Sequence, residues 1–326
     1  MTIQDLLPVN IVIPVFNRPA LTEKTILSLR ENTALPHVTT VVDNGSGRET
    51  RELLAALKDK GFVDHLFRLP RNYGVACASN VGWRLVDAPT YMKLDNDIEI
   101  IAPGWLEFVL HSLVKSSGPA VLGADFHNQL DNKYYVTQKR GLLGACHTHI
   151  SGGAILIPRG IRDVIGYWSE DYGLYGCEDG DYGVRVLSAG FSQYYFSHKP
   201  FMRHLGGDDA LYAEKYAIRK KAIQEKFRKY FITNAYLIQH GHRSPNTPMR
   251  YKLKGVKGCD VEICPAENAQ KIWKPFQRAH RLMHDPAVRD DAFIAALNAL
   301  ITAQNAYWNE ALAEVDASYA PYAVRY

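Results

Sequence analysis

Long apolar runs are missing from this chain: no stretch approaches the roughly 18 residues needed to span a bilayer. The opening Met1-Thr2-Ile3-Gln4-Asp5 lacks the basic flank and apolar core of a secretory signal. Cysteine is scarce, with five residues, odd in number and scattered, which argues against a disulfide framework. Cys259 and Cys264 have no second cysteine pair and no nearby histidines, so a zinc knuckle is not expected. Internal repeats and low-complexity tracts are absent too. A protein of the reducing cytoplasm is expected, either free or peripheral at a membrane. At 326 residues the chain is long enough for one large or two modest domains, and 47% hydrophobic content is ordinary for a globular protein.

Charge is unevenly spread. The net charge is +4, yet between Arg203 and Lys257 there are 13 Lys and Arg against 4 Asp and Glu. Such a block is a solvated face or a receiver of anionic partners. Anionic membrane surface and nucleic acid are the two such partners considered, the second because aromatic residues interleave the basic ones in 211–231.

The N-terminal two thirds alternates strand-like and helix-like segments. Val9 to Val15 reads as a buried strand, and a helix entered at Pro19 runs to about Asn32. Thr39 to Val42 is a second strand, followed by a helix from about Arg48 to Leu57 and a short strand from His65 to Leu69. Val75, Ala78, Gly82 and Leu85 share one helical face. Tyr91 to Leu94 is a further strand, and Gly104 to Lys115 a helix. This order predicts an α/β fold with a mostly parallel, Rossmann-like sheet and helices on both faces.

After Gly118 the pattern weakens, with a strand expected in 151–157. A long helix is expected from Asp208 to about Ile232, its aromatic stripe packing in a core. Segment 241–265 reads as irregular, and helices are expected at 266–284 and 288–313. The domain expectation is a catalytic unit over 1–207 and a mainly helical region over 208–326.

Ligands of parallel sheets gather beyond the carboxyl ends of the strands. Four polar segments are expected there: Pro14 to Arg18, Asp43 to Gly47, Arg71 to Gly74 and Asp95 to Asp97. Asp95 and Asp97 are spaced i, i+2, which puts both on one side of an extended chain. Paired carboxylates need compensation, so they are a candidate Mn²⁺ or Mg²⁺ site with phosphates as co-ligands; a turn is the plainer alternative. A second acidic cluster, Glu178, Asp179 and Asp181, follows Gly173 and Gly176, with helix capping as its alternative. His204 lies at a strand end before Gly206 and Gly207. Tyr167, Trp168, Tyr172 and Tyr175 precede the cluster and are read equally as sugar-stacking or core residues. His147 and His149 read as incidental.

Taken together, these segments resemble a family-2 glycosyltransferase of the GT-A fold. The resemblance rests on Val12 to Arg18, Val42 to Ser46, Asn72 to Gly74 with Asn80 to Gly82, Leu94 to Asp97, Gly152-Gly153-Ala154, and Glu178-Asp179 with Arg185, in order across 8–207. The Glu178-Asp179 region is also similar to the related galactosyltransferases. The resemblance implies transfer of a sugar from a nucleoside-diphosphate donor, with uridine the expected nucleoside. It implies that Pro14, Phe16, Asn17 and Arg18 wall the nucleotide pocket and that Asp43 bonds the base or ribose. Asn72, Gly74 and Gly153 would line the same pocket. Asp97, with His204, would ligate the metal, and Asp95 would reach the ribose or a metal-bound water. Asp179 corresponds to the catalytic base, Glu178 would position the acceptor, and Asp181 competes as base. Asn96 departs from the often acidic middle residue. Inversion is the expected stereochemistry and a glycan the expected acceptor, with a nucleic-acid base or a protein side chain as alternatives. A nucleotidyltransferase is disfavoured because the first strand is not followed by a glycine-rich loop. A degenerate sugar-binding scaffold is disfavoured because both acidic clusters are intact.

Overall fold

The computed structural model describes residues 1–206, except 117, 134, 147–149 and 177, and then 238, 244–246 and 249–266. The expected helices at 208–232, 266–284 and 288–313, with the helical C-terminal extension, lie outside the described residues, as do His147 and His149. Contacts divide the chain into two compact units, Met1–Cys264 and Pro265–Tyr326.

The first half follows the predicted alternation. In order come β1 (Val9–Val15), α1 (Pro19–Asn32), β2 (His37–Asp43), α2 (Arg48–Asp59), β3 (His65–Arg68), α3 (Val75–Leu85) and β4 (Thr90–Leu94). Strands β1, β2, β3 and β4 pair in parallel in the order β3-β2-β1-β4. All seven residues of β1 are buried, as expected of a strand covered on both faces. Its one amide is satisfied: Asn10 Nδ2 donates to Val86 O at 2.8 Å and Thr40 Oγ1 donates to Asn10 Oδ1 at 2.8 Å. Helix α3 lies close on β1 because Gly82 has no side chain; a Cβ there would come within 2.6 Å of Val12 Cγ1.

Next come β5 (Ile98–Ile100), α4 (Trp105–Lys115), β6 (Ala120–Asp125), β7 (Val136–Arg140), β8 (Leu143–Cys146), β9 (Ala154–Pro158) and α5 (Arg159–Ile165). Helix α6 (Glu178–Ser188), β10 (Ser192–Ser197) and β11 (Met202–His204) follow. Here the sheet turns mixed: β9 is antiparallel to both β4 and β6, and β8 is antiparallel to β10, which itself runs parallel to β6. Strands β5 and β11 form a separate antiparallel pair, His204 opposite Ile98.

Segment 241–265, read from the sequence as irregular, instead contains two strands, β12 (Tyr251–Lys257) and β13 (Asp260–Pro265). They extend the sheet past β3, with Asp260 opposite Arg68 in parallel register. Tyr251-Lys252-Leu253-Lys254 alternates apolar and polar residues, the period-2 signature of a half-buried strand that the irregular reading overlooked.

Candidate active site

Two consecutive non-glycine residues with left-handed backbone begin the site. Asn17 and Arg18 adopt φ of 59° and 62° immediately before Pro19 opens α1. Such backbone persists only when neighbours hold it. Here the Asn17 N–H donates to Ser46 Oγ at 2.9 Å, and Asn17 Oδ1 accepts the Gly47 N–H at 2.8 Å. The outcome is a guanidinium aimed along the strand ends: Arg18 Nη1 meets Asp97 Oδ2 at 2.7 Å.

The turn after β2 is tied to the loop after β3 in the same way. Asp43 Oδ1 accepts the Ser46 N–H at 2.8 Å, and Asn44 Oδ1 accepts the Tyr73 N–H at 2.9 Å. Asn44 Nδ2 donates to Asn72 Oδ1 at 2.9 Å. Gly45, at φ 78°, lies on the Arg71 backbone, where a Cβ would approach to 2.4 Å. Gly74 is packed as tightly, its virtual Cβ 2.0 Å from Gly173 O. All four predicted segments therefore meet at the carboxyl edge of the sheet.

Asp97 sits where β5 begins to pair with β11, and this pairing is what delivers His204. The Leu205 N–H donates to Asp97 O at 2.7 Å, and His204 Nε2 stands 3.7 Å from Asp97 Oδ1. Gly206 keeps the space open: a Cβ there would lie 2.5 Å from Asp97 Oδ2 and 2.8 Å from His204 Cε1. Among the described residues no group of three or more Asp, Glu, His or Cys side chains forms a ready-made metal cluster. One carboxylate and one imidazole nonetheless suit a divalent cation that keeps waters and phosphate oxygens as its remaining ligands.

Asp95 is held by a different set of partners. Its N–H donates to Gly153 O at 2.8 Å, and its carboxylate pairs with Lys93, a lysine whose side chain is 3% exposed. Burial raises the Asp95 pKa, with Lys93 opposing and the charge of Asp97 adding to the rise. The Lys93 ammonium also donates to Gly152 O, and Asp179 Oδ2 accepts the Gly152 N–H at 3.1 Å. Glu178, beside them, is buried and its Oε2 has no hydrogen-bond partner. Burial, then the charge of Asp179, pushes the Glu178 pKa up to about 7. Phe126 closes this corner, its ring 3.1 Å from a virtual Cβ on Gly153 and 5.8 Å between centroids from His204.

Asp181 faces the other way. It accepts from Tyr172 Oη at 3.0 Å and from Arg185 Nε at 2.8 Å, both carboxylate and guanidinium side chains being wholly buried. Arg185 also donates to Ile165 O and Tyr167 O. Asp181 thus anchors α6. Trp168 and Tyr172, read from the sequence as equally sugar-stacking or core, are core residues, Trp168 lying against Trp83 and Tyr182. Lys93 was not singled out in the sequence, although it shares the i, i+2 side of Asp95 and Asp97.

Comparison with known proteins agrees with this geometry. Residues 10–167 match the model of glycosyl transferase family 2. Over 113 residues, 34% of the chain, it is 35% identical to validoxylamine A glucosyltransferase of Streptomyces hygroscopicus subsp. jinggangensis (strain 5008). It is 34% identical over 113 residues to the protein of the same name from subsp. limoneus. Those stretches cover 26% and 24% of the two proteins, so the chain matches about a quarter of their length. The solved mannosyltransferase PcManGT from Pyrobaculum calidifontis, in complex with GDP-Man and Mn²⁺, shares the fold. Its TM-score is 0.51 at 15% identity, over 97% of this chain and 82% of that one. Residues 10–167, just under half of the chain, are therefore family-2-like, on a GT-A fold shared with the solved mannosyltransferase.

Proposed function

We propose that the chain transfers a sugar from a nucleoside-diphosphate donor, a UDP-sugar, to an acceptor hydroxyl of a glycan, with inversion at the anomeric carbon and dependence on Mn²⁺ or Mg²⁺. The observation that carries this reading is the placement of Asp43, the Asp97–His204 pair and the Glu178–Asp179 pair around one strand edge. Asp43 ends β2 and Asp97 follows the end of β4, the two strands that flank β1, while the β5–β11 pair brings His204 beside Asp97.

Asp43 takes the base or ribose, with Pro14, Phe16, Asn17, Asn72, Gly74 and Gly153 lining the donor. Asp97 and His204 hold the cation, and Asp95 takes the ribose or a water beside it. When bound, the cation stabilises the negative charge that grows on the departing diphosphate. Arg18, now paired with Asp97, is placed to turn its guanidinium toward phosphate oxygens. Asp179 accepts the proton of the attacking hydroxyl from the face opposite the diphosphate, which produces inversion and contributes about 10²–10⁴-fold. Glu178 orients the acceptor hydroxyls through its unpartnered oxygen. Asp181, engaged by Tyr172 and Arg185, drops out as the competing base. Complexes of the mannosyltransferase neighbour with GDP-Man and Mn²⁺ fit a nucleotide-and-cation site on this fold.

The test is hydrolysis of a panel of nucleotide sugars with Mn²⁺, wild type against Asp97→Ala. Slow cleavage of one donor, abolished by the substitution and by EDTA, is expected. Failure of the wild type to bind or cleave any donor would overturn the proposal.

A further inference from the structure

Arg18 and a divalent cation have claims on the same oxygen. Arg18 Nη1 lies 2.7 Å from Asp97 Oδ2, and both side chains are only 11% exposed, so water and salt screen the pair weakly. Two residues earlier, Lys93 pairs with Asp95. Two cationic side chains thus answer the two carboxylates one for one. Asn96, between those carboxylates, holds Arg18 in this pose. Its Nδ2 donates to Thr22 Oγ1 at 2.8 Å and to Asn17 O at 3.4 Å, and the Thr22 N–H donates to Arg18 O at 3.0 Å. These bonds brace the left-handed Asn17–Arg18 backbone that aims the guanidinium. An ionised acid at position 96 could donate neither bond and would set its charge against Asn17 O.

Charge then decides what this corner accepts. Arg18 disfavours a divalent cation on its own, because like charges would stand close together where screening is weak. Asp95 and Asp97 disfavour a diphosphate on its own for the same reason. Together the two ligands offset each other, and the guanidinium can exchange Asp97 for phosphate oxygens, which its planar fork suits equally well. We propose that Arg18 is an internal counter-cation that makes binding of the divalent cation conditional on the donor's diphosphate, and that Asn96 is the positioning residue that keeps it on Asp97. This rests on the nucleotide-sugar reading above. Cation and nucleotide are then coupled, each strengthening the other by the same factor.

Mn²⁺ binding without nucleotide tests it, read from the free-ion electron paramagnetic resonance signal in wild type, Arg18→Met and Asn96→Ala, with melting curves for each. Methionine removes the charge and keeps the length; alanine at position 96, which is half-buried, removes the donor without adding charge. Arg18→Met is expected to bind Mn²⁺ about tenfold more tightly than wild type, the worth of one charge-assisted hydrogen bond. Asn96→Ala should shift the same way by less, and adding Asp97→Ala to Arg18→Met should abolish the gain. By calorimetry, Mn²⁺ should strengthen UDP binding by a larger factor in wild type than in Arg18→Met. No gain in a folded Arg18→Met, or a gain that survives the loss of Asp97, would overturn the proposal. A gain in Arg18→Met without one in Asn96→Ala would strike the role given to Asn96. If Arg18→Met does not fold, Asn96→Ala decides alone, and unchanged Mn²⁺ affinity there overturns the proposal. A wild type that binds neither UDP nor GDP, with or without Mn²⁺, would defeat the donor reading itself.

Discussion

Lys93 and Asp179 grip one residue from its two sides: the Lys93 ammonium donates to the Gly152 carbonyl, and Asp179 accepts the Gly152 N–H at 3.1 Å. Lys93 belongs to β4, which ends in the Asp95–Asp97 segment, and Asp179 to α6. Gly152 therefore links the donor-side carboxylates to the proposed base. Transfer depends on the spacing between them, since a misplacement of about 1 Å costs on the order of 10² in rate.

Lys93→Met tests this clamp. Methionine fills the buried volume but releases both Gly152 O and Asp95, whose side chain is 32% exposed and can recruit water. The expected result is a fall in kcat of about 10²-fold with a smaller change in donor KM, read from initial rates. An unchanged kcat in a folded variant would show that the clamp does not position Asp179.

Asp179 and Asp181 are two residues apart yet should respond oppositely. Asp181→Asn breaks a wholly buried pair with Arg185, and removing one partner of such a pair costs about 3–5 kcal/mol. Its midpoint in urea should drop sharply. Asp179→Asn should leave that midpoint nearly unchanged and lower transfer by about 10²–10⁴-fold. Equal stability losses in both variants would contradict the division of roles.

Glu178 gives a pH dependence with a definite sign. Burial and Asp179 raise its folded pKa to about 7, above the ordinary carboxyl value of about 4.3. The folded state then binds the proton more tightly than the unfolded chain. The resulting stabilisation is complete below the unfolded value and fades as pH rises through about 7, by at most about 4 kcal/mol. Denaturation midpoints should therefore decline between pH 5 and 8 in wild type, and Glu178→Gln, which resembles the protonated form, should flatten this slope. A slope unaltered by that substitution would place its cause elsewhere.

The parallel half of the fold was legible because its strands are buried on both faces and end at Asp43 or Asp95, where apolar residues stop abruptly. The convergence of Asn17, Asp43, Asn72 and Asp97 followed from the rule that such ends share an edge. Pairing of β13 with β3 was not legible: no local pattern in Asp260–Pro265 specifies a partner nearly 200 residues away, although the alternation of lysines with Tyr251 and Leu253 did signal a strand. The role of Asp181 was half visible. Its i, i+4 spacing to Arg185 is that of a helical ion pair, but only packing reveals that both side chains point inward. The Gly206 contact depends on β11 meeting β5, a pairing of three residues each that sequence periodicity does not resolve.

Gly206 offers the sharpest test of the cation site. An alanine methyl there would sit 2.5 Å from Asp97 Oδ2 and 2.8 Å from His204 Cε1, nearer than real side chains approach. Both neighbours are side-chain ends that can rotate, so the fold should survive and the melting temperature should change little. What must change is the separation of the two proposed ligands, and a divalent ion of this size tolerates little distortion of its coordination. Gly206→Ala should therefore raise the Mn²⁺ concentration needed for half-maximal donor hydrolysis by tenfold or more, about 1.4 kcal/mol of binding. Asp97→Ala sets the lower limit for comparison. If Gly206→Ala keeps the wild-type Mn²⁺ dependence, the cation does not lie between Asp97 and His204, and the carboxylate of Asp95 becomes the better candidate for its anchor.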